Sequence, residues 1–317
     1  MKYYVGIDLG GTNIVAGVVN ENYEIVAKAK TPTNRPRPAD EICADMVKVV
    51  KEAVEKAGLT LADIEAVGLG SPGMINSDEG VIVYANNLDF YDVKVGEILG
   101  KALGKPIYAE NDANAAAYGE FVAGSAKGAN TAVCITLGTG VGGGIVIDGK
   151  IYSGSNYAGG EIGHIVIEVD GAPCSCGRKG CFEAYSSATG LIRMTKEAMD
   201  ANPDSLMHEM AKEDGHVSGR LSFNAMRAGD AAAKAVCDKY IKYLAAGIAN
   251  VINIFQPEVL CIGGGVCNEG DALLLPLKEL VESEIYTKRG DDNSKIVIAS
   301  LGNDAGIIGA AFLGLQK

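Results

Sequence analysis

The 317-residue chain predicts an α/β protein built as two domains, and three observations carry that prediction. Strand-like and helix-like segments follow one another in the mixed order expected when helices layer on sheets. A strand, glycine turn, strand, hairpin, strand pattern at residues 3–29 returns at 132–151, and a repeat of this kind points to two similar folding units. At about 150 residues per domain the length also fits two, each large enough to bury a core.

Residues 3–9 alternate as a strand; after Gly10-Gly11-Thr12 the run Ile14 to Val19 forms a second, and Asn20-Glu21-Asn22 turns into a third over Glu24 to Ala29. From Ala39 to Lys56 the apolar Ile42, Met46, Val49, Val50 and Val54 recur at helical spacing, with Gly58 closing the segment. Ile64 to Leu69 and Pro106 to Ala109 read as buried strands, the second leading into a helix from Ala113 to Phe121. The repeat opens with Val133 to Leu137, passes a Gly/Thr turn into Gly144 to Ile147, and returns through Asp148-Gly149 to a strand at Ile151. The C-terminal third is mostly helical, with a long amphipathic helix from Ala231 to Phe255. A strand from Glu258 to Ile262 ends in Gly263-Gly264-Gly265, and strand Lys295 to Ala299 and helix Ala305 to Leu315 finish the chain. No low-complexity linker is present, so the boundary is set by the repeat and by the Gly124 to Gly128 segment: residues 1–120 form one α/β domain and 121–303 a larger one.

Composition narrows the function. The chain has 42 glycines but no G-x-y period, and 48% of its residues are hydrophobic, so glycine serves local turns in a globular protein. Twenty-eight basic against 40 acidic residues give a net charge of −12, which argues against nucleic acid and anionic lipid as partners. The N-terminal apolar run is broken at Asp8, unlike a signal peptide, and no run approaches a membrane span. Eight cysteines in a long chain without a secretory signal favour metal or thiol chemistry over a disulfide framework, and the cytoplasm is the expected compartment.

Three clusters carry chemistry. Gly138-Thr139-Gly140-Val141-Gly142-Gly143-Gly144 contains G-x-G-x-x-G, but a strand and hairpin follow it where a dinucleotide site needs a helix, so hydride transfer fails on context. Glycine turns between antiparallel strands still present N–H groups to phosphate, and two of them, with Asp8 and Thr12 at the first and Thr139 at the second, favour a nucleotide grip over plain hairpins. Glu110-Asn111-Asp112-Ala113-Asn114 lies between a strand and a helix, where α/β sheets bind ligands. Asn111 or Asp112 also reads as the N-cap, yet capping accounts for one of these residues and not for the run. His164, Cys174, Cys176 and Cys181 form H-x9-C-x-C-x4-C, four ligands suited to a closed tetrahedral and hence structural Zn²⁺ site. Glu161 and Glu183 bracket that loop, and carboxylates held rigidly there are good acceptors for sugar hydroxyls.

These residues resemble the ROK family of repressors and sugar kinases, most closely its bacterial ATP-dependent glucokinases. The match runs through Asp8-Leu9-Gly10-Gly11-Thr12, Ser71-Pro72-Gly73, Glu110 to Ala116, Leu137 to Gly144, Glu161-Ile162-Gly163-His164, Cys174 to Glu183 and Gly263-Gly264-Gly265-Val266. The resemblance implies an actin-like ATPase (ribonuclease H-like) fold of two α/β domains with a central cleft, the final segment 304–317 packing back on the N-terminal domain. It implies Asp112 as the base and Gly73, Asn111, Asp112, Glu161, His164 and Glu183 around the sugar, with one ring nitrogen of His164 also on zinc. Asp8, Gly10, Gly11, Thr12, Gly138, Thr139 and Gly140 would surround the phosphates and Mg²⁺, and Gly264 and Gly265 the adenosine. The expected activity is ATP-dependent phosphorylation of an aldohexose at its 6-hydroxyl, glucose first. The alternatives are another hexose of the family (N-acetylglucosamine, N-acetylmannosamine, mannose or fructose), a non-catalytic sugar sensor, or an actin relative whose ATP turnover needs no sugar. The family's repressors carry a helix-turn-helix ahead of the Asp8 motif, and with seven residues there none is expected; a homodimer or homotetramer is. Val169 and Asn13 depart from frequent proline and lysine without touching a proposed ligand atom.

Overall fold

The computed structural model describes residues 1–287 and 293–316. Three strands open the chain: β1 (Tyr3–Leu9), β2 (Asn13–Asn20) and β3 (Ile25–Pro32). They are followed by α1 (Ala39–Lys56), β4 (Ile64–Ser71), the short strands β5 (Met74–Asn76), β6 (Val81–Ala85) and β7 (Phe90–Val93), then α2 (Val95–Leu103), β8 (Ile107–Asn111) and α3 (Asp112–Val122). The second run has β9 (Ala132–Leu137), β10 (Val141–Ile147), β11 (Lys150–Ile151), α4 (Phe182–Ser186), α5 (Ala188–Ala201), α6 (Met207–Asp214), α7 (Leu221–Arg227) and α8 (Ala231–Phe255). It ends in β12 (Val259–Gly263), α9 (Asp271–Glu284), β13 (Lys295–Ile298) and α10 (Ala305–Ala311).

The first five-stranded sheet is ordered β3-β2-β1-β4-β8 and the second β11-β10-β9-β12-β13, so each has three consecutive meander strands flanked by two later ones. The repeat noticed in the sequence is therefore a repeat of topology, with a glycine turn joining the first two strands each time. β5, β6 and β7 form a separate antiparallel sheet.

Two compact units emerge. The first contains Met1–Cys134, Gly143–Gly160 and the segment from Ala299 onward; the second contains Ile135–Gly142 and Glu161–Ile298. The units are not contiguous in sequence, unlike the expected split into 1–120 and 121–303, because the division runs through β9 and β10. Lys317, the end of the expected 304–317 segment, lies outside the described residues.

Within the first unit the period of two on β1 separates two cores. Val5, Ile7 and Leu9 pack with Ile42, Met46 and Val50 of α1 and Leu99 of α2, whereas Tyr4 on the other face joins Phe312, Ile308 and Ala115. That second face is close-packed through glycines. A Cβ on Gly6 would lie 1.9 Å from the Ile307 carbonyl oxygen, and one on Gly68 would lie 1.7 Å from that of Ala310, so α10 rests on the sheet at a distance no other residue permits. In the second unit α8 supplies the buried spine: Phe182 fills the space left by Gly247, and the Tyr240 hydroxyl donates to the Ser186 carbonyl at 2.7 Å, which fixes α4 to α8.

Candidate active site

Strand register gathers the candidate residues of the first unit. Asp8 pairs with Gly70 across parallel β1 and β4, and Gly70 pairs with Glu110 across parallel β4 and β8, so Asp8, Ser71 to Gly73 and Asn111-Asp112 all lie at the C-terminal ends of adjacent strands. Asn111 is the N-cap of α3: its Oδ1 accepts from the amides of Ala113 and Asn114, at 2.9 and 3.2 Å, while its Nδ2 donates to the Gly73 carbonyl at 3.0 Å. This settles which residue caps the helix and releases Asp112, the first helical residue, from that duty. Gly73 itself has φ +98° and would clash with Tyr84 if it carried a Cβ, so its place in the site is a backbone one.

Asp8 and Asp112 are both half-buried. Desolvation, then the charge of Asp112, pushes the Asp8 carboxyl up to about 6. Desolvation also raises Asp112, against the opposing pull of the Ala113 amide, which donates to its Oδ1 at 2.9 Å. Partial desolvation thus raises the proton affinity of both carboxyls, which suits a proton acceptor.

The Asp8 shift has a measurable consequence. Its folded value lies above the unfolded value of 3.8, so between these limits the folded state binds more protons, and stability falls as pH rises from about 4 to about 6. Above that range the ligand-free protein carries the full penalty. Asp8→Asn is expected to raise its stability at pH 7–8 by about 1–3 kcal/mol, the gain vanishing towards pH 4. Thermal melts without nucleotide or divalent cation check this; a variant less stable than wild type at pH 8 contradicts it.

The turn after Asp8 is braced from outside. Thr33 donates from its amide to Thr12 and from its hydroxyl to Gly10, and Arg35 Nε donates to the Gly11 carbonyl at 2.7 Å. A pocket of ≈ 810 Å³ opens beside Asp8 and Gly10 to Thr12, lined also by Lys28 and Lys30. Behind Asp112, buried Glu110 accepts from the amide of Asn111 and from Asn114 Nδ2 through Oε1, and from Ser153 through Oε2. Glu110 stood in the motif without a role, and Thr33, Arg35 and Ser153 gave no local signal in the sequence.

In the second unit, the donor atoms of His164, Cys174, Cys176 and Cys181 all lie within 4.8 Å of one another. Cys174 Sγ is 3.7 Å from His164 Nδ1, and Cys176 Sγ is 3.7 Å from Cys181 Sγ. A tetrahedral ion with metal–sulfur bonds of about 2.3 Å needs sulfurs about 3.8 Å apart, so the donor set fits zinc. Gly177 and Gly180, with φ of +87° and +76°, turn the chain around it, and the Cys174 amide donates to the Arg178 carbonyl. With Nδ1 facing the sulfurs, His164 keeps Nε2 for another partner.

Glu161 is exposed. Glu183, near the start of α4, is already engaged: Oε2 accepts from the Val141 amide at 3.0 Å and Oε1 from the Ser175 hydroxyl at 3.2 Å. The glycines around the second turn divide by environment. A Cβ on Gly138 or Gly265 would meet nothing within 4 Å, leaving room for a ligand, whereas one on Gly140 would strike Glu183 Oε2 and one on Gly264 the backbone of Leu137. Thr139 offers its carbonyl to the Thr189 hydroxyl at 2.8 Å.

Among the described residues no helix is long and apolar enough to cross a membrane. Residues 4–317 match the model of the ROK family. The chain is 39% identical to a glucokinase of Halalkalibacterium halodurans over 317 residues, covering all of this chain and 96% of the relative. It is 35% identical to a glucokinase of Thermotoga maritima over 308 residues, covering 97% and 95%. The crystal structure of a ROK family glucokinase from Streptomyces griseus in complex with glucose and AMPPNP superimposes with a TM-score of 0.81 at 34% identity, covering 99% of this chain and all of that one. The protein therefore belongs to the ROK family and has the actin-like ATPase fold of that family's sugar kinases.

Proposed function

We propose that this protein transfers the γ-phosphoryl group of ATP to the 6-hydroxyl of an aldohexose, with glucose as the preferred acceptor. The observation that carries the reading is Asp112: a half-buried carboxylate of raised proton affinity at the start of α3, with the capping role taken by its neighbour Asn111. The glucokinase relatives at 35–39% identity over nearly the whole chain support glucose as the substrate.

In the reaction the O6–H proton passes to an Asp112 carboxylate oxygen as O6 forms its bond to the γ-phosphorus and the bond to the β,γ-bridging oxygen breaks, giving the sugar 6-phosphate and ADP. In the first unit Asp8 and the Gly10 to Thr12 turn would hold phosphate and Mg²⁺; in the second, Gly138, Thr139 and Gly140 would bind phosphate and Gly264-Gly265 the adenosine. Bound Mg²⁺ supplies neutralisation of charge on the phosphate oxygens. Asn111, Glu161, His164 and Glu183 would orient the sugar, the backbone of Gly73 would close its edge, and zinc on His164, Cys174, Cys176 and Cys181 would keep the imidazole fixed. Self-association as a dimer or tetramer and a cytoplasmic compartment belong to the same proposal.

A coupled assay of ADP release tests the reading. Turnover should depend on added hexose and be highest, as kcat/KM, with glucose among glucose, mannose, fructose and the N-acetylated hexosamines.

A further inference from the structure

Glu183 occupies an unusual position for a residue whose expected partner is a sugar. One carboxylate oxygen is bound to the backbone of the Gly138 to Val141 turn through the Val141 amide, and the other to Ser175, between two of the metal-ligating cysteines. Gly140 has no room for a side chain because Glu183 Oε2 would lie 2.2 Å from its Cβ. Val141 is held on its other edge as well: a Cβ on Gly163, next to ligand His164, would lie 2.2 Å from the Val141 carbonyl oxygen. The segment after α4 completes the hold, with the Ala188 amide donating to the Gly138 carbonyl at 2.9 Å and the Thr189 hydroxyl to that of Thr139. Gly138, Thr139 and Val141 are thus hydrogen-bonded by residues of α4 and α5, and the Glu183 carboxylate lies against Gly140.

From this geometry we infer that Glu183 is a positioning residue that fastens the Gly138 to Val141 turn to the metal knuckle, so that the loaded knuckle sets nucleotide affinity even without sugar. The inference rests on the nucleotide role proposed for that turn. A carboxylate-to-amide hydrogen bond is among the stronger kinds, and a turn held in its binding shape loses less freedom when phosphate arrives.

The test is calorimetric binding of AMPPNP with Mg²⁺ and no sugar. Glu183→Ala should raise the Kd about tenfold or more while retaining its metal, whereas Glu183→Gln, which keeps an oxygen to accept from Val141, should stay within about threefold of wild type. Stripping zinc from the wild-type protein with a chelator should weaken AMPPNP to a similar degree, and re-adding zinc should restore it, a comparison that needs no variant to fold. An unchanged Kd in Glu183→Ala and in the stripped protein overturns the inference and leaves Glu183 as a sugar ligand alone. Wild-type protein that fails to bind AMPPNP overturns the kinase reading itself, and the inference with it.

Discussion

Asp112→Asn is expected to lower kcat by at least ~10²–10⁴ while sugar affinity stays within a few-fold of wild type. Asparagine keeps the shape of the side chain and the hydrogen bond that Oδ1 accepts from Ala113, and the Asn111 cap on α3 is untouched. What is lost is the proton acceptor. Desolvation raises the proton affinity of Asp112, which suits it to take the O6 proton as the phosphorus–oxygen bond forms. Steady-state kinetics together with equilibrium sugar binding separate the two effects, and near-normal turnover would remove Asp112 from the mechanism.

The second large effect concerns the knuckle. Metal analysis of washed protein should find about one zinc per chain, and Cys176→Ala should lose the metal, sugar binding and several degrees of Tm. Cys176 is the informative position because it is exposed, whereas Cys181 is buried. Exposed substitutions change stability by about 0.5 kcal/mol or less unless a special feature is lost, so a large fall at Cys176 reports the metal and not packing. Chelator should lower the Tm of wild type towards that of the variant and leave the variant unchanged. A metal-free, fully active wild-type preparation would refute the assignment.

Much of the fold could be read because its longest elements obey one clear period. The helix expected over Ala39 to Lys56 and the one over Ala231 to Phe255 match α1 and α8 at both ends, and the order of strands around each glycine turn matches both large sheets. The small sheet of β5, β6 and β7 escaped notice. Its strands have three to five residues, too few for alternation to stand out, and they are joined by polar turns that read as loop. α9 was hidden by Pro276 within it, a residue that removes a helical hydrogen bond and signals a break.

The candidate site was legible where its residues cluster in sequence, as with His164 and the three cysteines or Glu110 to Asn114. It was not legible where a side chain serves a distant backbone. Buried Glu120 accepts from the amides of Ser125, Ser300 and Leu301, tying the end of α3 to the segment that leads into α10, and two of those partners are about 180 residues away. Glu183 is a similar case: it stands two residues after Cys181 in sequence, but the bond to Val141 exists only in the folded chain. The glycines also needed the structure, since sequence alone does not tell Gly138, with open space beside it, from Gly140, which a carboxylate occupies.

If ATP turnover in this protein is coupled to a hexose, ADP release measured with and without glucose will show it. Turnover should require glucose and yield glucose 6-phosphate in equal amount to ADP. ATP hydrolysis at the same rate without sugar, or no ADP release with any hexose of the panel, would contradict it.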